Sequence, residues 1–343
     1  MKAKSFEFTS VVFKPKDKKA IFRYRINFYD SKSINFTEEL ILPKVPNLDG
    51  VPNNLVNNIL DDLHFALGLS YYKLYCPKKI ILKNQISRDR ASFWNTLYEK
   101  GLGEFFYKNK IDYRNIVSFP STKSNDYTSV SLKRKNRSLV GIGGGKDSIV
   151  TLELLKRDKF NINGFVVETG KKYEEVESIL KIAKLGSVRI NRIIDKKLIS
   201  NNFPESFNGH IPISSIYAFL GIFSAILYDY KYVVVSNEYS SNFGNIRYLG
   251  QEINHQWSKS QEFESLLRDY AHKYLTSDII YFSLLRPFYE IRIAKLFAGY
   301  SKYYKAFSSC NSRFKVSKER TNKKWCGICP KCVFVYTMLT AFL

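Results

Sequence analysis

The stretch LVGIGGGKDSIVTLELLK, residues 139–156, sets three consecutive glycines between a short apolar run and a helical pattern. Leu139–Ile142 reads as a strand and Ser148–Arg157 as a helix. Adjacent glycines cost chain entropy, so a plain tight turn explains them poorly; their use is to bring bare backbone against something. A Walker A loop needs G-x-x-x-x-G-K-[ST], but Val140 stands where its first glycine belongs and Asp147 where its hydroxyl belongs. A dinucleotide fingerprint G-x-G-x-x-G starting at Gly141 needs a glycine where the chain has Lys146.

Gly143, Gly144, Gly145, Lys146, Asp147 and Ser148 resemble the S-G-G-x-D-S loop of the ATP pyrophosphatase (PP-loop) superfamily, with Gly143 in place of the first serine. The physics suits that loop. Glycine N–H groups close on phosphate oxygens, and the helix that follows offers its positive end. Ser148 caps that helix or donates to a phosphate. Asp147 would repel a bare phosphate, and makes sense with Mg²⁺ between them. Lys146 neutralises charge as pyrophosphate leaves. The resemblance implies that ATP is cleaved between its α and β phosphates and that a carboxyl or carbonyl oxygen is activated as an adenylate.

The strand–helix rhythm continues beyond the loop. Gly164–Glu168 is a strand, Glu174–Leu185 a helix and Ser187–Ile190 a third strand. Ile213–Tyr230 is a long buried helix, and YVVVSNE, 232–238, an apolar strand ending in polar residues. This alternation implies a parallel sheet covered on both faces, with ligands at the carboxyl ends of its strands. The glycine loop falls there, as do Asn237 and Glu238, which are expected to contact nucleotide, metal or substrate. Residues 1–130 read differently. Phe22, Tyr24, Ile26 and Phe28 alternate with polar residues, and INFTEELIL, 34–42, is a second strand. LVNNILDDLHFALGLSYYK reads as a helix running into Gly68, and SRDRASFWNTLYEKGLGEFFYKN as one broken at Gly101 and Gly103. Polar residues 121–138 form a linker. The expected class is α/β: a PP-loop ATP pyrophosphatase (adenine nucleotide alpha hydrolase-like) parallel sheet over residues 131–305. An α+β substrate-binding domain (1–130) precedes it. A C-terminal zinc-bound segment (306–343) packs on it.

With 343 residues, 45% of them hydrophobic, the chain can bury a full core. The formal charge of +23 suits a polyanionic partner such as RNA. The basic residues are spread out and no RNA-binding signature accompanies them, so codon bias plus a phosphate-bearing substrate is preferred and no nucleic-acid partner is expected. IPISSIYAFLGIFSAILY, 211–228, is uncharged and near the lower length limit for a membrane helix. Its proline, serines and glycine, with no flanking arginines, favour a buried helix and no membrane partner. MKAKSFEFTS alternates instead of forming the apolar core of a signal peptide, and an odd count of five cysteines argues against a disulfide framework. The expected compartment is the cytoplasm. Cys310, Cys326, Cys329 and Cys332 form C-x15-C-x2-C-x2-C, which suits a structural tetrahedral Zn²⁺, with an iron–sulfur cluster as the alternative. Cys76 reads as a buried lone thiol.

Further stretches converge: GLSYYK (68–73), GLGEFFYKN (101–109), NGHIPISS (208–215), VVSNEYSS (234–241), EINHQWSKSQEFE (252–264), FSLLRPFYEIRIAKLF (282–297), FSSCN (307–311) and WCGICPKC (325–332). With the glycine loop they resemble the UDP-N-acetylmuramoyl-L-alanyl-L-glutamate epimerase family over nearly the whole chain. The terminal CGICPKC also resembles the zinc segment of the 7-cyano-7-deazaguanine synthases. The N-terminus is shorter than the family leads us to expect. A relative acting on another glutamyl-ended or carboxyl-ended peptide is the first alternative, and a deazaguanine synthase-like or tRNA-modifying enzyme the second.

The resemblance implies an AMP-forming epimerase of peptidoglycan precursor synthesis, acting on a UDP-linked muramoyl dipeptide or similar glutamyl peptide. ATP and Mg²⁺ adenylate the α-carboxylate of the terminal L-Glu, Cα is inverted, and hydrolysis releases AMP and the D-Glu product. A free carboxylate opposes a carbanion beside it, whereas an acyl phosphate lets the carbonyl take the enolate. That enolate needs donors, and Cα needs one or two bases tuned toward neutral pH. His255, in the polar run Asn254–Lys259, and His210 are candidate bases, with Asn254 expected on the substrate. Lys259 neutralises the glutamate side chain or acts as a base once desolvated. Tyr71, Tyr72 and Lys73 are expected to stack on and pair with an anionic substrate, with aromatic core as the alternative. Arg286, before Pro287 where helix is disfavoured, is expected to clamp a carboxylate or phosphate, with Glu290 as a possible partner and a surface ion pair as the alternative. His64 reads as core and His272 as surface.

Overall fold

The alternating apolar residues at the start of the chain make three antiparallel strands. In the computed structural model, which describes residues 2–123, 128–200, 203–314 and 321–343, these are β1 (Ala3–Lys14), β2 (Lys19–Phe28) and β3 (Ser33–Ile41). Phe22, Tyr24, Ile26 and Phe28 are all buried, as a sheet with one covered face requires. Helix α1 (Asn53–Tyr72) covers that face. It does not stop at Gly68 but passes through it. A Cβ there would lie 2.5 Å from a ring carbon of Phe8, so the glycine permits close helix–sheet approach. Next come β4 (Lys79–Ile81), β5 (Ile86–Ser87), α2 (Arg88–Gly101), α3 (Gly103–Lys108) and β6 (Ser121–Thr122). The break between α2 and α3 falls at the two glycines singled out in the sequence. Ser87 caps α2 by accepting from the Arg90 N–H. Within the polar linker, residues 124–127 lie outside the described residues, while Ser129 and Val130 donate to the carbonyls of Lys273 and Leu275.

From Ser138 strands and helices alternate: β7 (Ser138–Gly141), α4 (Lys146–Arg157), β8 (Ile162–Glu168), α5 (Glu174–Ala183), β9 (Ser187–Ile193), α6 (Lys196–Ser200), α7 (Ile213–Tyr228) and β10 (Tyr232–Val235). A small hairpin, β11 (Ile246–Tyr248) and β12 (Gln251–Ile253), precedes α8 (Gln261–Tyr274), β13 (Ile280–Ser283), α9 (Glu290–Ala298) and α10 (Pro330–Thr340). The uncharged span becomes α7, nearly all of it buried. No helix of the described residues is long and apolar enough to cross a membrane. β10 ends at Val235, three residues short of the expected strand, because Ser236–Glu238 leave the ladder; the Asn237 carbonyl instead accepts from Ser283 Oγ at 2.6 Å.

The parallel strands lie in the order β13-β10-β7-β8-β9. Winding reverses between β7 and β10, a switch point of the kind at whose carboxyl edge open α/β sheets bind ligands. The sheet continues past β9: β3 pairs with it antiparallel (Leu40↔Arg192), followed by β2, β1 and β4. Nine strands therefore form one mostly parallel sheet in a mixed α/β fold. Residue 130 separates two styles of sequence within a single sheet. One core lies beneath α1, α2, α7 and α8, reaching from Phe6 to Tyr281. The other lies beneath α4, α5, α9 and α10, around Ile149, Ile179, Ile293 and Val335. Leu139 and Val233 face the first and their neighbours Val140 and Val234 the second, so strands buried on both faces read as continuous apolar runs.

Candidate active site

Gly143–Gly145 join β7 to α4 at the switch point. Gly144 has φ +90°, a conformation that glycine adopts without strain, and its carbonyl accepts from the Ser308 N–H at 3.0 Å. Gly145 caps α4 with no side-chain cap bond. Among the described residues, the N–H groups of Gly143, Gly144 and Gly145 meet no acceptor. A Cβ added at Gly143 would find nothing within 4 Å. Open space over such donors at a helix N-terminus suits an anionic oxygen group, so this loop fits a phosphate. Ser148 Oγ donates to the Gly145 carbonyl at 2.9 Å, tying the loop to the first helical turn.

Lys146 is 1% exposed. Its Nζ donates to the carboxylates of Asp147 and Glu290. Burial acts to lower its pKa, but those two charges outweigh burial and raise it. Glu238, buried just past β10, has its pKa raised by desolvation and then by Glu290 and Asp147. Two carboxylates thus hold one buried ammonium, and a third, Glu238, is near enough to feel their charge. Glu290 belongs to this cluster and is not the partner of Arg286. Arg286 Nη2 instead donates to Glu264 (2.9 Å) and the Lys259 carbonyl (2.7 Å), and Nη1 to the Glu238 carbonyl and Ser241 Oγ (both 3.0 Å). It fastens the loop after β10 to α8, with both terminal nitrogens bonded to protein groups and Nε meeting no acceptor among the described residues.

A cleft of about 880 Å³ opens over the glycine loop. Phe165–Val167, Tyr173 and Phe314 are part of its apolar lining; Ser70, Lys73, Arg192, His210 and Lys259 are part of its polar lining. The charge of Lys259 is felt by both Glu238 and His210, and Lys73 Nζ donates to the Gly209 carbonyl at 2.8 Å, beside His210. Desolvation lowers the pKa of His210; Glu104 opposes this, and the positive charges of Lys259 and His255 add to it.

The structure divides the expected site residues. His210, Lys259, Lys73, Asn237 and Asp147 all line the cleft. His255 is exposed and outside its lining, close enough only for its charge to reach His210. Asn254 donates to the Ser241 carbonyl and accepts from the Gln256 N–H, both at 2.8 Å, and lines a neighbouring cavity of about 660 Å³. Tyr71 and Tyr72 are aromatic core and not cleft lining, because α1 turns both rings onto the sheet. Both are 0% exposed; Tyr71 stacks on Tyr24 and donates to Glu38 Oε2 at 2.7 Å. His64 is core and His272 exposed, as expected.

Sequence reasoning missed Arg192. It lies on the cleft floor with Nε donating to Glu38 Oε1 (2.5 Å) and Nη2 to Ser70 Oγ (2.8 Å). A signal existed: in SVRINRI the buried positions are Val188, Ile190 and Arg192, and in β3 they are Phe36, Glu38 and Leu40. Opposite charges at inward positions of two strands call for each other.

The sulfurs of Cys310, Cys326, Cys329 and Cys332 all lie within 4.8 Å of one another. Cys326–Cys332 are 3.8 Å apart and Cys329–Cys332 3.4 Å. Zn–S bonds of about 2.3 Å place tetrahedral sulfurs about 3.8 Å apart, so this cluster could hold a metal such as zinc. The Cys329 N–H donates to Cys326 Sγ at 3.3 Å. With the Ile328 N–H as the largest cause, the Cys326 thiol is pulled down to about 6, which favours the thiolate that a metal needs.

Comparison with known proteins adds to this geometry. Residues 1–284 match the MurL N-terminal domain and residues 306–343 the MurL C-terminal domain. Three curated relatives are each named UDP-N-acetyl-alpha-D-muramoyl-L-alanyl-L-glutamate epimerase. That of Xanthomonas oryzae pv. oryzae is 33% identical over 89% of this chain and 68% of its own length. That of Micromonospora sp. is 34% identical over 94% and 72%. That of Salinispora tropica is 33% identical over 99% and 73%. A solved structure described as a predicted subunit of tRNA methyltransferase from Methanocaldococcus jannaschii covers 47% of this chain and 75% of that one. Its 16% identity and TM-score of 0.30 are too low to argue from.

Proposed function

The chain belongs to the MurL family, and from that membership we propose that it is an ATP-dependent epimerase. It inverts Cα of the terminal glutamate of UDP-MurNAc-L-Ala-L-Glu and releases AMP and pyrophosphate. One observation carries the nucleotide part of this reading: a row of glycine N–H donors without acceptors, under open space, at the N-terminus of α4 and the switch point of the sheet. Phosphate oxygens satisfy such donors. Tyr173 and Phe314, with ring centroids 5.1 Å apart and planes tilted by 52° beside the loop, offer aromatic faces to the base. Asp147, with Glu238 and Glu290 beside it, is the group that would hold Mg²⁺, which supplies charge neutralisation on the pyrophosphate.

The order of events follows from the chemistry. An oxygen of the glutamyl α-carboxylate attacks the α-phosphorus of ATP, and the bond to the β-phosphate breaks. Lys146, drawn from between its two carboxylates, offsets the charge that leaves. The acyl phosphate no longer carries a negative charge beside Cα, so the Cα proton can be taken and the electron pair held on the carbonyl oxygen. His210, kept neutral by desolvation and by the neighbouring Lys259, suits the role of proton acceptor. Lys259 suits the enolate oxygen or the return of the proton. Water then cleaves the acyl phosphate. The four cysteines hold a structural zinc that fixes Ser308 and Ser309 behind the glycine loop, since Ser308 binds Gly144 and Cys310 follows two residues later.

The test is incubation with ATP, Mg²⁺ and UDP-MurNAc-L-Ala-L-Glu in D₂O. The expected result is AMP, pyrophosphate and one deuterium at the glutamyl Cα, all lost in Asp147→Ala. ATP cleavage without deuterium, or a normal rate in Asp147→Ala, would overturn the reading.

A further inference from the structure

The cleft has an uneven charge. Its lining carries four permanent cations, Lys73, Arg192, Lys259 and Lys331, and one carboxylate, Asp147. Arg192 is already bound by Glu38, and Lys331 faces Glu290 at 3.8 Å. Lys73 and Lys259 differ: among the described residues neither has a carboxylate partner, and each finds only a neutral acceptor. For Lys259 that is Gln256 Oε1 at 3.4 Å; for Lys73 it is the Gly209 carbonyl at 2.8 Å.

Lys73 is the more constrained of the two. It leaves the end of α1, where burial lowers its pKa. A half-buried ammonium with one neutral acceptor has lost water without gaining a counter-charge. Its acceptor is held in place: Asn109 Nδ2 donates to the neighbouring Asn208 carbonyl at 3.1 Å, and a Cβ at Gly209 would come within 3.0 Å of the Phe105 ring. The loop therefore fixes Lys73 at the cleft wall, and an anion arriving in the cleft supplies the missing charge.

Position decides which anion. Arg286 and Ser241 each bond the carbonyls of both Lys259 and Glu238, which places Lys259 beside the loop after β10, at the carboxyl edge that holds the phosphate loop, while Lys73 binds the Gly209 carbonyl next to His210. In a glutamyl terminus the two carboxyl groups are separated by Cα, Cβ and Cγ. With the reacting carboxyl toward the glycine loop and Cα near His210, the side chain runs toward Lys73. We propose that Lys73 forms the subsite for the side-chain carboxylate of the substrate's terminal residue and so sets the preference for glutamate over glutamine. This rests on the epimerase reading for the orientation of the substrate.

The test is calorimetric binding of UDP-MurNAc-L-Ala-L-Glu and of its L-Gln-ended analogue to the full chain, in wild type, Lys73→Gln and Lys73→Arg. Glutamine at 73 can still donate to the Gly209 carbonyl, so a purely structural role survives that change. The wild type is expected to bind the glutamyl ligand about 10- to 100-fold more tightly than the glutaminyl one, the range of a charge-assisted hydrogen bond. Lys73→Gln is expected to bind both within about threefold of each other, and Lys73→Arg to keep the preference. A wild type that does not discriminate overturns the subsite without recourse to any variant, as does a Lys73→Gln that keeps the wild-type ratio. Deuterium incorporation is followed on the same proteins in D₂O with ATP and Mg²⁺ added. Discrimination that is lost in Lys73→Gln, with no deuterium in any protein, leaves the subsite standing and removes the epimerase reading.

Discussion

Replacing Arg192 with methionine should destabilise the fold far more than any surface change, because it leaves one charge behind. Arg192 and Glu38 are 1% and 0% exposed. Three bonds hold the arginine: to Glu38 Oε1 at 2.5 Å, to Glu38 Oε2 at 3.2 Å and to Ser70 Oγ at 2.8 Å. The pair sits where the antiparallel strands join the parallel ones, a seam of three residue pairs between β3 and β9. In Arg192→Met the Glu38 carboxylate keeps the Tyr71 hydroxyl but loses its counter-charge. Breaking a buried pair from one side costs about 3–5 kcal/mol. At about 2.1 cal/mol/K per residue, this chain has an unfolding entropy near 0.7 kcal/mol/K, so a loss of about 4 kcal/mol lowers the melting midpoint by about 6 °C. Adding Glu38→Leu removes the orphaned charge, and the double variant should return to within about 1 kcal/mol of wild type. Urea unfolding followed by tryptophan fluorescence measures all three proteins. A single variant that loses less than about 1 kcal/mol, or a double variant as weak as the single, would refute the argument that uncompensated charge dominates at this seam.

Gly143→Ala should melt like wild type, since a Cβ there touches nothing within 4 Å. Because the methyl occupies the space over the loop donors, ATP affinity should fall about 10-fold or more, read by calorimetry; unchanged affinity would place the phosphates elsewhere. Metal analysis should find one zinc per chain. Its removal by a strong chelator should weaken ATP binding as well as stability, because Cys310 anchors the segment that bonds Gly144; stability loss with full ATP affinity would separate the two. His64 is buried with its Nε2 2.9 Å from the Arg23 carbonyl, and burial pushes its pKa down to about 4. Below about pH 6.5 the unfolded chain takes a proton that the folded chain refuses. Its contribution is thus full above that pH and falls by roughly 3 kcal/mol as the pH drops toward 4. His64→Gln should lack this part of the slope in urea titrations across that range.

The periodic parts of the fold were legible because each is a local property. Phe22, Tyr24, Ile26 and Phe28 announce a half-covered strand, and YVVV announces one buried on both faces, whatever lies beside them. The helix breaks at Gly101 and Gly103 as expected, α2 ending on the first and α3 beginning on the second. Gly68 did not, because what decides a glycine inside a helix is the neighbour that presses on it, here Phe8, and that neighbour lies 60 residues earlier in the chain. The union of the two halves into one sheet was hidden for the same reason: the short β3–β9 seam leaves no periodic mark.

The site shows the same division. The glycine loop and the cysteine cluster are compact in sequence and were read directly. The contacts that organise the rest are not compact. Lys146 reaches Glu290 across 144 residues, Lys73 reaches Gly209 across 136, and Arg192 reaches Glu38 across 154. Local patterns state which face a side chain occupies but not which other face it meets. Charge offers a way past this. A buried carboxylate or ammonium is expensive alone, so Glu38 and Arg192, each inward in an apolar strand, had to find opposite charges. That inference needs no topology, only the alternation of two strands. It also sets Lys73 apart: a cation that α1 carries inward, for which the described fold provides no carboxylate, is balanced by one brought from outside.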